Sequence, residues 1–189
     1  MKKTLFILCA LIAGISVAAF RIADIDNNSA FFHNGSWTGG TDLPLGKDNL
    51  LTAQVTVFAL FALPSEEAVY LFARQDNDRN AFNSASDYII TGNIRQINAR
   101  YWSITCYGKD LFLVPNSEER FSFNNTNITT DSAGNFKIVV SHQKQPGNWL
   151  PAPHNAPFTL VLRIYGGDKD FLTHLASSPL PAISIKRGP

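Results

Sequence analysis

From Glu67 to Tyr165 the chain alternates short apolar runs with clusters of turn-forming residues. Ala68 to Arg74, Tyr88 to Thr91, Tyr101 to Tyr107, Leu111 to Val114, Phe136 to Ser141 and Phe158 to Tyr165 are rich in β-branched and aromatic residues. Asn, Asp, Gly and Pro separate them. Runs of this length and spacing predict short strands joined by turns, in a sandwich or barrel. In the last run, Phe158, Leu160, Leu162 and Ile164 share one face and Thr159, Val161, Arg163 and Tyr165 the other, because side chains alternate along a strand. The first face reads as core. The second carries a guanidinium that needs a carbonyl, a carboxylate or a ligand as partner. Trp102, Ile104 and Cys106 likewise fall on one face of their run, where Cys106 reads as a small buried hydrophobe.

At 189 residues, with 45% hydrophobic and 12% aromatic content, the chain suits one compact domain with a substantial core. The formal charge is +1, and two of the cations, Lys2 and Lys3, lie at the extreme N-terminus. Nothing in this balance points to nucleic acid. Lys2 and Lys3 precede an apolar run from Thr4 to Val17, and Ser16-Val17-Ala18 or Val17-Ala18-Ala19 supplies the small residues of a signal-peptidase site. Residues 1–20 are therefore expected to be a signal peptide or membrane anchor, with a cleaved chain beginning near Ala19 or Phe20. The protein is expected outside the cytoplasm, in the periplasm or tethered to the inner membrane facing it, and to touch membrane only through this segment. Cys9 follows Phe6-Ile7-Leu8, which does not resemble a lipid-attachment site. Cys106 is the only other cysteine, so the domain is held together by its core and not by an internal disulfide.

Residues 21–49, rich in Asn, Gly, Ser and Thr, read as an extended leader with Trp37 and Phe31-Phe32 as anchors. Residues 50–189 form the expected β domain. Its first segment, Leu50 to Leu63, is predicted helical: Leu51, Val55, Phe58, Ala59 and Ala62 make one face, Asp48 or Asn49 the cap and Pro64 the stop.

Motifs for nucleotide, nucleophile-elbow or zinc-helix chemistry are absent from the sequence, and no cofactor is implied. The histidines, His33, His142, His154 and His174, are scattered singly. His142 and His154 flank the Asn148-Trp149 turn and are the pair able to converge, without a cysteine or carboxylate nearby in sequence for a metal site. Glu66-Glu67 and Glu118-Glu119 are adjacent pairs, which point apart on a strand and read as solvated charge. Asp76, Asp78, Asn80 and Asp87 follow the spacing of a calcium loop, yet Ala81 stands where the turn glycine belongs and the flanks are strands. A polar hairpin is the simpler reading.

The sharper candidate is Asn148-Trp149-Leu150-Pro151-Ala152-Pro153, a large rigid surface between a Gly-Asn turn and two prolines. Arg120 and Arg163 supply donors for a carboxylate, phosphate or sugar if they share its rim. With Tyr107 and Tyr165 these residues form the candidate ligand set: Trp149, Asn148, Arg120, Arg163, Tyr107 and Tyr165. The competing reading makes Trp149 a plug at the end of the sandwich.

Several of these segments carry a resemblance. Arg100-Tyr101-Trp102-Ser103-Ile104-Thr105, Leu113-Val114-Pro115-Asn116 with Arg120-Phe121-Ser122, Pro146-Gly147-Asn148-Trp149-Leu150-Pro151 and Leu162-Arg163-Ile164-Tyr165 resemble the bacterial family called domain of unknown function 1214, over roughly Trp37 to the C-terminus. Ala62-Leu63-Pro64-Ser65-Glu66-Glu67-Ala68-Val69-Tyr70 is similar to the family's passage from helix to first sheet strand. The resemblance implies a mostly β, antiparallel, jelly-roll-like β-sandwich with one N-terminal helix after the signal or anchor segment. It also implies the short branch of the family, which lacks the companion domain of longer members. It implies no activity. Three functions remain: an envelope module binding a small polar ligand, a glycan or a protein; an accessory subunit docking with a separately encoded companion-domain protein; and a hydrolase or isomerase using Arg120, Tyr107 and Asn148. The sequence favours them in that order, because it shows no acid, base or metal set.

Overall fold

The computed structural model describes residues 2–24, 28–41, 43, 46–58 and 63–187. They fall into two compact units, one of residues 1–31 and 42–62 and the other of residues 32–41 and 63–189.

The first unit holds two helices. Helix α1, Lys2–Ala23, has 22 residues, no buried side chain and a mean hydropathy of 2.4 over its most apolar window. At about 1.5 Å per residue it is about 33 Å long, enough to cross a bilayer, and its position near the N-terminus is equally that of a signal sequence. Helix α2, Asn49–Phe58, begins one residue before the segment predicted helical and covers its first part. Asp48 caps it, accepting the Leu51 N–H at 3.0 Å, and Leu51 and Val55 are buried as expected. Ala59 and Ala62 of the predicted face lie outside the described residues. Gln54 ties the helices together: its amide donates to the carbonyls of Arg21 (2.8 Å) and Asp24 (3.3 Å) at the C-terminal end of α1.

The second unit is mostly β. Its strands are β1 (Phe32–Asn34), β2 (Trp37–Gly39), β3 (Ala68–Ala73), β4 (Tyr88–Asn93), β5 (Ala99–Gly108), β6 (Ser122–Asn124), β7 (Asn135–Ser141), β8 (Asn148–Pro151), β9 (Phe158–Gly167) and β10 (Ala182–Ile185), with the short helix α3 (Lys169–Thr173) after β9. Six strands make one antiparallel sheet in the order β1-β2-β3-β9-β5-β6. The other sheet has the order β10-β4-β7-β8, antiparallel except for the β7–β8 pair, which is parallel. Both sheets feed one core. Val69, Leu71, Trp102, Ile104, Cys106, Leu160, Leu162 and Ile164 come from the larger, and Ile90, Phe136, Ile138, Val140, Leu150 and Ile183 from the smaller. The Trp102 and Phe136 rings meet between them at 5.5 Å. Phe158, Leu160, Leu162 and Ile164 enter this core as expected, while on the other face of β9 Thr159 and Val161 are buried as well and Arg163 and Tyr165 are half-buried.

Two short strands, β1 and β2, lie within the stretch read as an extended leader. Trp37 is buried there, its indole N–H donating to the Pro181 carbonyl at 2.7 Å. Gly39 permits the close approach of β2 to β3, since a Cβ at that position would stand 2.4 Å from Leu71 and 2.7 Å from the Tyr70 carbonyl. The strand expected over Leu111–Val114 does not form. Leu111 takes a left-handed φ of 63°, the Asp110 carboxylate accepts the Phe112 N–H, and only Leu113 bridges back to Tyr107. A side-chain-stapled turn has displaced the ladder there.

Candidate functional site

The outward face of the larger sheet gathers polar and aromatic side chains around Arg163. Register brings them together: Tyr70 stands opposite Arg163 on one side and Ser103 on the other, and the next row holds Tyr165 opposite Tyr101. Arg163 is half-buried. Its Nη1 donates to Thr105 Oγ1 at 3.1 Å and its Nη2 to the Tyr107 hydroxyl, while its guanidinium carbon lies 5.3 Å from the Tyr107 ring centre and 6.0 Å from that of Tyr70. A guanidinium has five N–H donors. Two are thus engaged with side-chain hydroxyls, and among the described residues no carboxylate pairs with this arginine.

Tyrosines frame the charge. Tyr165 meets Tyr70 edge-on at 6.5 Å and Tyr101 at 5.8 Å and 54°. Loss of water and the neighbouring Tyr70 hold the Tyr165 phenol above its ordinary pKa, outweighing the opposing pull of Arg163, so it stays a neutral hydroxyl. Arg100, Tyr101, Ser103, Arg163 and Tyr165 line an open depression of about 480 Å³. Chemically the depression offers positive charge, hydroxyl donors and aromatic faces. No carboxylate, histidine or cysteine is among those lining residues.

The structure divides the expected ligand set. Arg163, Tyr107 and Tyr165 come together on this face. Asn148 and Trp149 belong to the smaller sheet, in strand β8 and not in the loop that the sequence suggested. Parallel pairing with β7 puts them there, after a turn at Gly147 with φ +75°. Both are buried. The Asn148 amide accepts the Thr129 N–H (2.9 Å) and donates to the carbonyls of Thr129 (2.8 Å) and Lys137 (3.0 Å). The Trp149 indole donates to the Ser141 carbonyl at 2.9 Å. Arg120 is exposed, its guanidinium 4.9 Å above Phe123 and its backbone held at both N–H and carbonyl by the Asn116 amide.

The other polar candidates have local partners. The buried Asp76 carboxylate accepts the N–H groups of Asp78 and Asn80 and the Asn80 amide, which closes its turn, while Asp87 pairs with Lys186 at 3.4 Å. These oxygens are therefore held in two separate networks. Glu118 pairs with Lys144 at 2.7 Å, which holds its carboxyl below the usual range. Burial pushes the Cys106 thiol up to about 12, as for an inert core residue. His33 contacts Thr38 and His174 the Asp170 carbonyl, whereas the His142 and His154 rings face each other at 4.5 Å. Tyr70, Tyr101, Arg100 and Ser103 were not among the expected site residues. The alternation that sends Trp102 and Ile104 inward sends Tyr101 and Ser103 outward, so those two were within reach of the sequence; Tyr70 becomes visible only through pairing with Arg163.

A mostly β protein of two sheets, with an arginine in a ring of tyrosines on one outer face, is the class that these features define. Residues 67–169, more than half of the chain, match the family described as "Protein of unknown function (DUF1214)", and the protein belongs to that family. Among solved structures it is similar to the VPA0106 protein from Vibrio parahaemolyticus, with a TM-score of 0.62 and 24% identity over 74% of this chain and 36% of that one. The chain thus spans little more than a third of the Vibrio protein, and the likeness is one of fold. An uncharacterised protein from Burkholderia cenocepacia aligns with a TM-score of 0.44 and 13% identity over 95% of this chain and 49% of that one. No curated protein matches.

Proposed function

We propose that this protein is an exported module of the bacterial cell envelope that binds an acidic sugar or similar small polar anion on its tyrosine-and-arginine face, without catalysis. The observation that carries the reading is Arg163, a half-buried cation with donors left over, set among Tyr70, Tyr101, Tyr107 and Tyr165. A planar guanidinium matches a carboxylate through paired hydrogen bonds, and tyrosine rings give a sugar flat apolar surfaces with hydroxyls at their edges. Helix α1 supports export, by signal or by anchor, to the periplasm or its inner-membrane boundary. The scaffold is read as jelly-roll-like because the chain passes repeatedly between the two sheets. The hydrolase or isomerase reading required the Asn148 amide as an active group, and that amide is engaged with backbone.

Calorimetric titration of the full chain in detergent with trigalacturonate, and with a neutral trisaccharide of equal length, tests this. The reading expects saturable binding of the acidic sugar and its loss in Arg163→Ala. Equal affinity for the two sugars, or an unaffected Arg163→Ala, contradicts it. Docking with a companion domain is the second reading, favoured by the greater length of the Vibrio relative.

A further inference from the structure

The four strands of the smaller sheet deliver a second cluster of chemical groups to one end. β7 and β8 run parallel, with Ser141 opposite Pro151, so the segments that follow both strands leave on the same side. β4 is antiparallel to β7 and begins there, Tyr88 lying opposite Val140, and β10 ends there, Ile185 lying opposite Tyr88. The residues just beyond these ends are His142, His154, Asp87 and Lys186, which line one cleft of about 460 Å³.

Within it the imidazoles of His142 and His154 stand with ring centres 4.5 Å apart and planes at 72°. Both rings are exposed, and neither has a hydrogen-bond partner among the described residues, unlike those of His33 and His174. A metal ion bound at about 2.0 Å from one nitrogen of each of two rings, with a near-tetrahedral angle between them, sets the ring centres about 5 Å apart. The observed 4.5 Å is close to that value. A pair of imidazole ligands selects a borderline ion, and the Irving–Williams order places Cu²⁺ above Zn²⁺ at such a pair. The neighbouring Asp87 is already paired with Lys186, whose ammonium donates in turn to the Gln145 side-chain Oε1 at 2.9 Å. No group of three metal-ligating side chains occurs among the described residues, so water or an exogenous donor would complete the coordination.

We infer that His142 and His154 form a two-imidazole site for a divalent transition-metal ion, open to further ligands, at the end of the smaller sheet. The site is independent of the Arg163 face. Titration of the full chain in detergent with CuCl₂ and with ZnCl₂, followed by calorimetry and by electron paramagnetic resonance of the copper form, tests it. The expected result is one saturable ion per chain, copper tighter than zinc, with nitrogen hyperfine structure from two imidazoles. His142→Ala and His154→Ala each weaken binding at least about tenfold, since each removes half of the protein ligands. His33→Ala and His174→Ala leave it unchanged, and circular dichroism shows all four variants folded. Absence of saturable binding, or copper binding that survives the His142→Ala/His154→Ala double substitution, overturns the assignment.

Discussion

The Asn148–Trp149 strand and the Arg163 face contain the same kinds of residue, large aromatics beside polar donors, yet they stand in opposite conditions. In β8 the polar side chains have partners in the backbone: the Asn148 amide makes three bonds and the Trp149 indole one, and both residues are 8% exposed. Around Arg163 the donors outnumber the partners, and the aromatic rings border an open depression. A satisfied polar group fixes a fold, whereas an unsatisfied one at an open surface is available to a ligand. Residue type alone does not separate the two cases. Hydrogen-bond accounting does.

Substitutions sharpen the comparison. The largest effect is expected at Trp149, where replacement by alanine removes a buried indole and should cost about 3–5 kcal/mol in urea unfolding. A variant as stable as the parent would break the structural half of the comparison. Asn148→Ala leaves the Thr129 N–H and two carbonyls without their partner, and a loss of about 1–3 kcal/mol is expected in the same assay. Arg163→Lys keeps the charge but not the planar fork, so acidic-sugar affinity should fall while the unfolding midpoint changes little.

The smallest effect concerns acid stability at Asp131, in the turn that leads into β7 at the opposite end from the histidines. The Asn135 side chain, then the Asn135 and Ala133 N–H groups, hold its carboxyl below the ordinary value. A carboxyl depressed on folding stabilises the protein above its unfolded pKa, and the contribution disappears as pH falls through the folded one. Asp131→Asn should therefore lower the melting temperature slightly near neutrality and flatten its decline below about pH 4, where the parent loses the same contribution. An unchanged acid limb would show that this turn does not take part.

Much of the larger sheet was legible from local pattern. β3, β5 and β9 announce themselves through alternation, and the inward placement of Trp102, Ile104, Cys106 and the Phe158 series follows from it. The Asp48 cap and the first turns of α2 were equally local. What remained hidden depends on pairing. β1, β2, β6 and β10 are three or four residues long and exist because a neighbouring strand supplies their hydrogen bonds. β8 lies parallel to β7 across a connection much shorter than parallel strands ordinarily need, so Trp149 looked like a loop residue. Arg163 could be identified as unpaired on its own face, but the tyrosines that surround it come from three strands. Their register is a property of the sheet.

The most direct test of the account measures two quantities on the same preparations of Trp149→Ala and Arg163→Ala: urea unfolding and trigalacturonate binding, the latter at a temperature where both variants are folded. The account predicts a crossed result. Trp149→Ala is strongly destabilised and binds like the parent, whereas Arg163→Ala loses about 1 kcal/mol or less and no longer binds. Parental affinity in Arg163→Ala, or lost binding in folded Trp149→Ala, would contradict the assignment of structure to one region and ligand to the other.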